Sequence, residues 1–147
     1  MGVLTENRKA RFNYTILETY EAGIELKGFE VKAVKAGKMN LTGAFGIVRG
    51  NEIWLINADI PPYQPGNTPK DYESSRPRRL LLRAAEIREL IGKMKERGLT
   101  LLALRAYTKG NLVKIALGLG RGKRGPDKRE AIKKRETGRE IARTLNA

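Results

Sequence analysis

The stretch Tyr14–Phe45, YTILETYEAGIELKGFEVKAVKAGKMNLTGAF, decides the predicted fold because its hydrophobic period changes once along its length. From Tyr14 to Glu21, a segment rich in aromatic and β-branched side chains follows a period of two, which is typical of a strand. Ala22-Gly23 then predicts a tight turn, and Ile24 to Leu26 continue as a second strand.

After Gly28 the period becomes helical, with Val31 and Val34 on one face. Gly37 predicts the end of this helix, since glycine accepts the left-handed conformation that closes many helices. Three lysines at three-residue spacing form a basic row, which we call the lysine stripe: Lys32, Lys35 and Lys38. Ammonium groups in a row favour phosphate binding, and a merely solvated helix face is the alternative.

The charge balance is the strongest compositional feature of the 147-residue chain, since 30 Lys and Arg against 16 Asp and Glu give a net charge of +14. Such a field attracts polyanions. Nucleic acid is favoured over an anionic membrane surface, because no basic amphipathic helix carries the aromatic and leucine-rich face that membrane binding needs. The length fits one domain with an appended tail.

The chain contains no cysteine and no histidine, which excludes disulfides, thiolate and imidazole chemistry and the usual zinc ligands. Its carboxylates do not converge in a catalytic spacing, and Glu21, Glu30, Asp71 and Glu73 are interpreted as salt-bridge partners. We therefore expect no enzyme, no metal and no cofactor. The start of the chain is unlike a signal peptide and its apolar runs are too short to span a bilayer, so a cytoplasmic location is expected.

Two hairpins with glycine-asparagine turns follow the helix. Their strands are Thr42 to Arg49 with Glu52 to Ala58, and Leu99 to Thr108 with Leu112 to Leu119. Between the hairpins, Ala84 to Arg97 has the apolar spacing of a helix that packs on the core and ends at Gly98. Six short antiparallel strands favour a mainly β fold with some α: a six-stranded closed barrel like the oligonucleotide-binding (OB) barrel, with about three helices.

The segment from Asp59 to Arg79 is a proline-rich connection that holds five of the six prolines and ends in three arginines. We expect a long loop with an ordered basic edge. Four tyrosines are candidates for stacking on bases, although half-buried positions in the barrel are the plainer interpretation: Tyr20, Tyr63, Tyr72 and Tyr107.

The segment 120–147 differs in composition from the barrel domain predicted at 1–119, because it holds ten Lys and Arg against four Asp and Glu and no aromatic residue. A helix with so little apolar surface to bury is marginal alone, so we expect this basic tail to become helical on its partner. A disordered basic terminus that only raises non-specific affinity is the alternative.

Four motifs occur in order from Asn7 onwards: EAGI at 21–24, GFEVK at 28–32, RRLLL at 78–82 and GKRGPDKR at 122–129. Together they resemble the SsrA-binding protein family, also called small protein B (SmpB). The resemblance implies a non-enzymatic OB-like barrel of six antiparallel strands with three helices. It also implies binding to the tRNA-like domain of transfer-messenger RNA (tmRNA), which enters stalled ribosomes with elongation factor Tu during trans-translation. The tail is then expected to become helical in the empty mRNA channel, near the decoding centre and its 16S rRNA.

The resemblance assigns RNA-facing roles to Asn7, Glu21 and Leu80, and a carboxylate suits such a role because it accepts hydrogen bonds from base amino groups and hydroxyls. With the neighbouring basic and motif residues, the predicted RNA-binding set is Asn7, Lys9, Arg11, Tyr20, Glu21, Glu30, Lys32, Lys35, Lys38, Arg78, Arg79 and Leu80. The predicted decoding-centre set in the tail is Lys123, Arg124, Asp127, Lys128 and Arg129.

The chain departs from the family pattern in places. Ala33, Val34 and Lys35 stand where Ser-Leu-Arg is usual, which removes a hydroxyl and a guanidinium fork. Pro126 stands where a His or Tyr is usual, so stacking on a ribosomal base is not predicted there. A structural ribosomal protein or a general RNA-binding barrel is the alternative function, and selectivity among RNAs distinguishes it from tmRNA binding.

Overall fold

The structure is a computed structural model that describes residues 2–123. The helix predicted in the tail, and four of the five residues predicted for the decoding centre, lie outside these described residues. The elements in chain order are β1 (Gly2–Glu6), α1 (Arg8–Asn13), β2 (Tyr14–Ile24), α2 (Gly28–Lys35), β3 (Phe45–Arg49), β4 (Glu52–Ile56), a 3₁₀ turn (Pro65–Asn67), β5 (Arg78–Leu81), α3 (Ala84–Arg97), β6 (Thr100–Lys109) and β7 (Leu112–Gly122).

The sheet closes on itself into a ring. Six strands pair antiparallel in the order β6-β3-β4-β5-β2-β7, and β7 returns to pair with β6. β1 pairs with Arg105 to Thr108 of β6, whereas β3 pairs with Leu101 and Leu102, so β1 and β3 lie end to end along the same side of β6. The described chain is thus mainly β with three α-helices.

The predicted turn at Ala22-Gly23 is wrong, because β2 runs without interruption from Tyr14 to Ile24. Gly23 pairs with Lys114 of β7 on one side and Leu81 of β5 on the other. Here glycine serves close packing, since a Cβ on Gly23 would lie 3.2 Å from the Cβ of Leu81. The described sheet therefore has seven strands, six of them in the ring. β5 takes the place of the second strand predicted from the Tyr14–Phe45 stretch, and β1 is an additional strand.

Two N-terminal elements were missed, and both are too short for their period to be read. β1 is five residues long and α1 is six residues long. The side chain of Asn7 caps α1 by accepting a hydrogen bond from the amide of Ala10 at 3.3 Å. The segment 2–13 is therefore part of the folded body.

The predictions made from strong local patterns are confirmed. Both glycine-asparagine turns join hairpins, with Gly50 and Gly110 at φ 65° and 62°. Helix α3 ends at Gly98, which adopts the left-handed conformation. Helix α2 closes in the same way beyond Lys35, where Gly37 has φ 77° and the amide of Lys38 donates to the carbonyl of Ala33 at 3.0 Å.

The core fills the ring with aliphatic side chains from alternate strand positions, chiefly Ile53, Leu55, Leu80, Leu101, Ile115, Leu117 and Leu119. Helix α2 packs on this core through Ala33 and Val34, and α3 does so through Leu90. Burying these apolar surfaces is the main stabilising contribution to the fold. Within residues 2–123, no helix is long and apolar enough to cross a bilayer.

Candidate nucleic-acid interface

The lysine stripe faces solvent because the opposite side of α2 is fixed to the core. Ala33 and Val34 are fully buried, while Lys32, Lys35 and Lys38 are exposed. The ammonium group of Lys38 lies 5.3 Å from the centroid of the Tyr63 ring, which is a cation–π contact. Tyr63 is 39% exposed, so an aromatic side chain borders the stripe. Helix α2 therefore presents Lys32 and Lys35 to solvent, and Lys38, just beyond the end of the helix, adds a third cation beside an accessible ring.

Glu30 fixes α2 to the proline-rich loop and to β5, and it does so from a fully buried position. Its carboxylate accepts hydrogen bonds from Arg76, and from Arg78 at 2.7 and 2.9 Å. It also accepts from the backbone amide of Lys27 at 2.8 Å, which caps the helix, and from the hydroxyl of Tyr72 at 3.1 Å. Burial raises the pKa of Glu30, but the hydrogen bonds from Arg76, Lys27 and Arg78 outweigh it and bring the pKa to about 2.

Arg78 completes this buried network. Its guanidinium also donates to the carbonyls of Ala58 and Ser74, at 3.0 and 2.9 Å, and to the hydroxyl of Tyr72 at 3.0 Å. Both Arg78 and Glu30 have no exposed surface, so the structure leaves neither of them accessible to RNA. We assign them a supporting role instead: they hold the helix that carries the lysine stripe.

Glu21 lies on the outside of the ring, where β2, β7 and β6 run side by side. The hydroxyl of Tyr107 donates to one carboxylate oxygen, and the ammonium of Lys109 donates to the other at 3.2 Å. These two hydrogen bonds lower the pKa of Glu21, and the one from Tyr107 has the larger effect. Burial, and then the hydrogen bond to Glu21, raise the pKa of Tyr107 to about 12. The Glu21 side chain keeps 41% of its surface exposed, so its carboxylate remains accessible.

Beside Glu21 lies a polar depression of about 580 Å³, lined by Glu21, Gly23, Leu81, Leu82, Arg83, Glu86 and Lys114. Leu81 is 43% exposed in it, whereas Leu80 is buried in the core with 1% exposed. Leu80 is the predicted RNA-binding residue, whereas its neighbour Leu81 is the one that a ligand can reach in the structure. Strand alternation indicates that only one of two adjacent leucines points outward, but it does not indicate which one.

Asn7 is also buried, with 4% of its surface exposed. Its side-chain amide donates to the carbonyls of Leu41 and Ala103, both at 2.9 Å, and so fixes the start of α1 to the ring. Lys9 and Arg11 are exposed on α1. A mostly apolar cavity of about 360 Å³ opens next to Asn7 and Lys9. Lys9 and Arg11 are therefore presented on a short helix that Asn7 anchors.

The remaining predicted residues are less available. Tyr20 is half-buried, and its hydroxyl donates to Glu18 at 3.0 Å and accepts from Lys93 at 3.4 Å. Arg79 pairs with Glu25 and Glu52 at 3.4 and 3.7 Å. Lys123 is half-buried just after β7, and its amide donates to the carbonyl of Asn13 at 2.8 Å. Arg124, Asp127, Lys128 and Arg129 lie beyond the described residues.

The structure thus separates the predicted set into accessible and supporting residues. The accessible ones are Lys9, Arg11, Glu21, Lys32, Lys35 and Lys38, and the buried ones are Asn7, Glu30, Arg78 and Leu80. The predicted RNA-binding set does not include Leu81, Lys109 or Lys114, which the structure places around Glu21. Among residues 2–123, no group of three or more Asp or Glu side chains could hold a metal ion.

A closed β ring with exposed cations on α1 and α2 and a net charge of +14 fits a protein that binds RNA. The family model described as "SmpB protein" matches residues 4–147. The chain therefore belongs to the SmpB family, whose members are also named SsrA-binding proteins.

Relatives of known name cover almost the whole chain. The SsrA-binding protein of Synechocystis sp. is 51% identical to it, over 97% of this chain and 93% of the relative. That of Carboxydothermus hydrogenoformans is 50% identical, over 99% of this chain and 97% of the relative. A solved structure described as "tmRNA-SmpB: a journey to the center of the bacterial ribosome" matches with a TM-score of 0.69 and 45% identity, covering 90% of this chain and 95% of the other.

Proposed function

We propose that this protein binds transfer-messenger RNA and delivers it to stalled ribosomes in trans-translation. One observation carries the proposal: a chain seen with tmRNA in the bacterial ribosome is 45% identical to this one and matches it over 90% of its length. The relatives named SsrA-binding proteins and the net charge of +14 support the same RNA partner. Elongation factor Tu is an indirect partner, through the charged tmRNA.

The proposed body of the protein is an OB-like closed barrel, and we extend it to Lys123. The closed strand order supports the barrel, and the continuation of β7 to Gly122 supports the new boundary. The basic tail from residue 124 onwards is proposed to enter the empty mRNA channel and to contact 16S rRNA near the decoding centre. Its charge supports that role, because an RNA-lined channel is a polyanionic environment.

The proposed RNA surface combines the lysine stripe, the N-terminal cations Lys9 and Arg11, and Glu21 with Leu81. Cations on α1 and α2 fix the phosphate backbone without reading sequence. The depression beside Glu21 adds a carboxylate acceptor and an apolar side chain, which suit a single base or ribose. The buried residues Asn7, Glu30 and Arg78 hold this surface in place.

Selectivity tests the proposed function. We expect the purified protein to bind the tRNA-like domain of tmRNA at least about tenfold more tightly than an unrelated structured RNA of equal length, at equal salt. Filter binding or fluorescence anisotropy at several salt concentrations measures both affinities. Equal affinity for the two RNAs would contradict the proposal and support a general RNA-binding barrel.

The lysine stripe should contribute to the electrostatic part of that affinity. Replacing Lys32 and Lys35 by alanine should flatten the plot of log affinity against log salt by about 0.7 for each phosphate that the variant no longer neutralises, if single-stranded behaviour applies. The matched control replaces Arg88 and Lys95 by alanine, which removes two cations from α3. An equal change of slope in both variants would mean that only net charge matters and that the stripe does not bind the RNA directly.

A further inference from the structure

Tyr107 is a buried residue whose hydroxyl bonds a carboxylate at the surface. Only 5% of its surface is exposed, and its backbone pairs with Val3 of β1 on one side and Lys114 of β7 on the other. The guanidinium of Arg105 lies 5.5 Å from the centroid of its ring. Neighbours on several sides therefore fix the ring, and the direction of its hydroxyl follows from that.

That hydroxyl donates to Glu21, across β7, which lies between their two strands. Lys109, on the same strand as Tyr107, donates to the other carboxylate oxygen at 3.2 Å. An ionised carboxylate offers about four acceptor positions. Tyr107 and Lys109 occupy one position on each oxygen, so each oxygen keeps acceptor capacity for a donor that arrives from solvent.

The arrangement costs less conformational freedom on binding than a free glutamate would. An exposed glutamate samples several rotamers, and fixing them on association costs about 0.5–1.5 kcal/mol per side chain. Here the two donors restrict the side chain before any ligand arrives. The adjacent depression, with Leu81 and the cations Arg83 and Lys114, leaves room for a nucleotide beside the Glu21 carboxylate.

We propose that Tyr107 and Lys109 are positioning residues that hold the Glu21 carboxylate in the orientation in which it accepts hydrogen bonds from RNA hydroxyl or amino groups. The inference rests on the proposed function, and it adds two residues of β6 to the surface that recognises the RNA. Tyr107 acts through Glu21 and does not touch the RNA itself.

The test is a double-mutant cycle with the tRNA-like domain of tmRNA as the probe. We expect Glu21→Gln to weaken binding about tenfold and Tyr107→Phe to weaken it about three- to tenfold, as for loss of a hydrogen bond that involves a charged group. In the Glu21→Gln background, Tyr107→Phe should change affinity less than about twofold. The matched control for the carboxylate is Glu96→Gln, which removes an exposed charge from α3 and should leave affinity unchanged.

The pH dependence of binding gives a readout that a purely structural role would not move. Tyr107 and Lys109 lower the pKa of Glu21, so its charged form persists to lower pH. In Tyr107→Phe that support is reduced, and affinity should fall at a higher pH than in the unmodified protein. Lys114 on β7, and Arg83 and Glu86 around the depression, also face Glu21 and are the same in both proteins, as is the RNA.

Each outcome separates the inference from the proposed function. If Glu21→Gln weakens binding and Tyr107→Phe does not, the positioning role is refuted and the RNA site at Glu21 remains. If Tyr107→Phe weakens binding equally with and without Glu21, it acts through the fold and the inference is also refuted. Thermal unfolding of each variant is measured alongside. Unchanged affinity in Glu21→Gln would overturn the inference together with the role of Glu21. The selectivity of the unmodified protein for tmRNA would still test the proposed function.

Discussion

Replacing Arg78 by methionine should lower the free energy of unfolding by about 3 kcal/mol, because the buried Glu30 loses two hydrogen bonds and keeps Arg76 as its one charged partner. The carbonyls of Ala58 and Ser74 also each lose a hydrogen bond from the Arg78 guanidinium. Urea unfolding followed by circular dichroism measures the change. The matched control is Arg79→Met on the same strand, whose half-exposed ion pairs should contribute less than about 1 kcal/mol.

The double variant Glu30→Leu with Arg78→Met separates pairing from packing. Removing both charges takes away the buried carboxylate that has lost a partner, and the Arg76 that it leaves behind is 26% exposed, so the double variant should be more stable than Arg78→Met alone. Losses that simply add would show that the two residues stabilise the fold independently.

The same network makes stability depend on pH with a defined sign. The pKa of Glu30 is about 2 in the folded protein against an ordinary value of 4.5, so the folded state favours the charged form. Its contribution is present above about pH 4.5 and is lost as the pH falls through 4.5 towards 2. Glu30→Gln should therefore flatten the profile of stability against pH in that window, which urea unfolding at a series of pH values measures.

Truncation after Lys123 should abolish tagging on stalled ribosomes while leaving the affinity for the tRNA-like domain within about twofold, because the body that carries the proposed RNA surface stays whole. The truncation must not remove residues before 124. Gly120 pairs with Thr100 and Ile16, and Gly122 pairs with Tyr14, so ending the chain at 119 would remove part of β7 from both neighbouring strands. Thermal unfolding checks that the shorter protein keeps its body, and an in vitro trans-translation assay measures tagging.

A shuffled tail is the sharpest control for that truncation. Residues 124–147 in scrambled order keep the charge and composition and lose the sequence. If the tail acts through specific contacts near the decoding centre, the shuffled protein should fail in tagging as the truncated one does. Tagging restored by the shuffled tail would contradict that role, and so would loss of RNA affinity in the truncated protein.

Local patterns in the sequence were sufficient for much of the fold. Helix α3 and both hairpins combine a clear hydrophobic period with glycine at the termini, and the structure places them where they were predicted. The turn predicted at Gly23 is wrong because sequence alone does not distinguish a glycine that permits close strand packing from one that makes a turn. Strand β5 was not predicted, because the strands that it pairs with, β2 and β4, lie far from it along the chain.

The surface was predictable where it depends on spacing, and not where it depends on tertiary pairing. The exposure of Lys32 and Lys35 follows from helical geometry, whereas Lys38 lies beyond the end of α2. Glu30 and Arg78, in contrast, are 48 positions apart, and only the closed ring brings them together. The motifs place both residues in the predicted RNA-binding set. The interpretation of Glu30 as a salt-bridge partner is the one that the structure confirms, because Glu30 and Arg78 bond each other inside the protein.

The outer edge of β1 has a consequence for the behaviour of the protein in concentrated solution. The strand is five residues long, its register breaks between Val3 and Thr5, and it ends at Glu6. A short, irregular and charged border is a poor template for adding another chain. Even at high concentration, molecules would therefore not assemble edge to edge into aggregates through this strand.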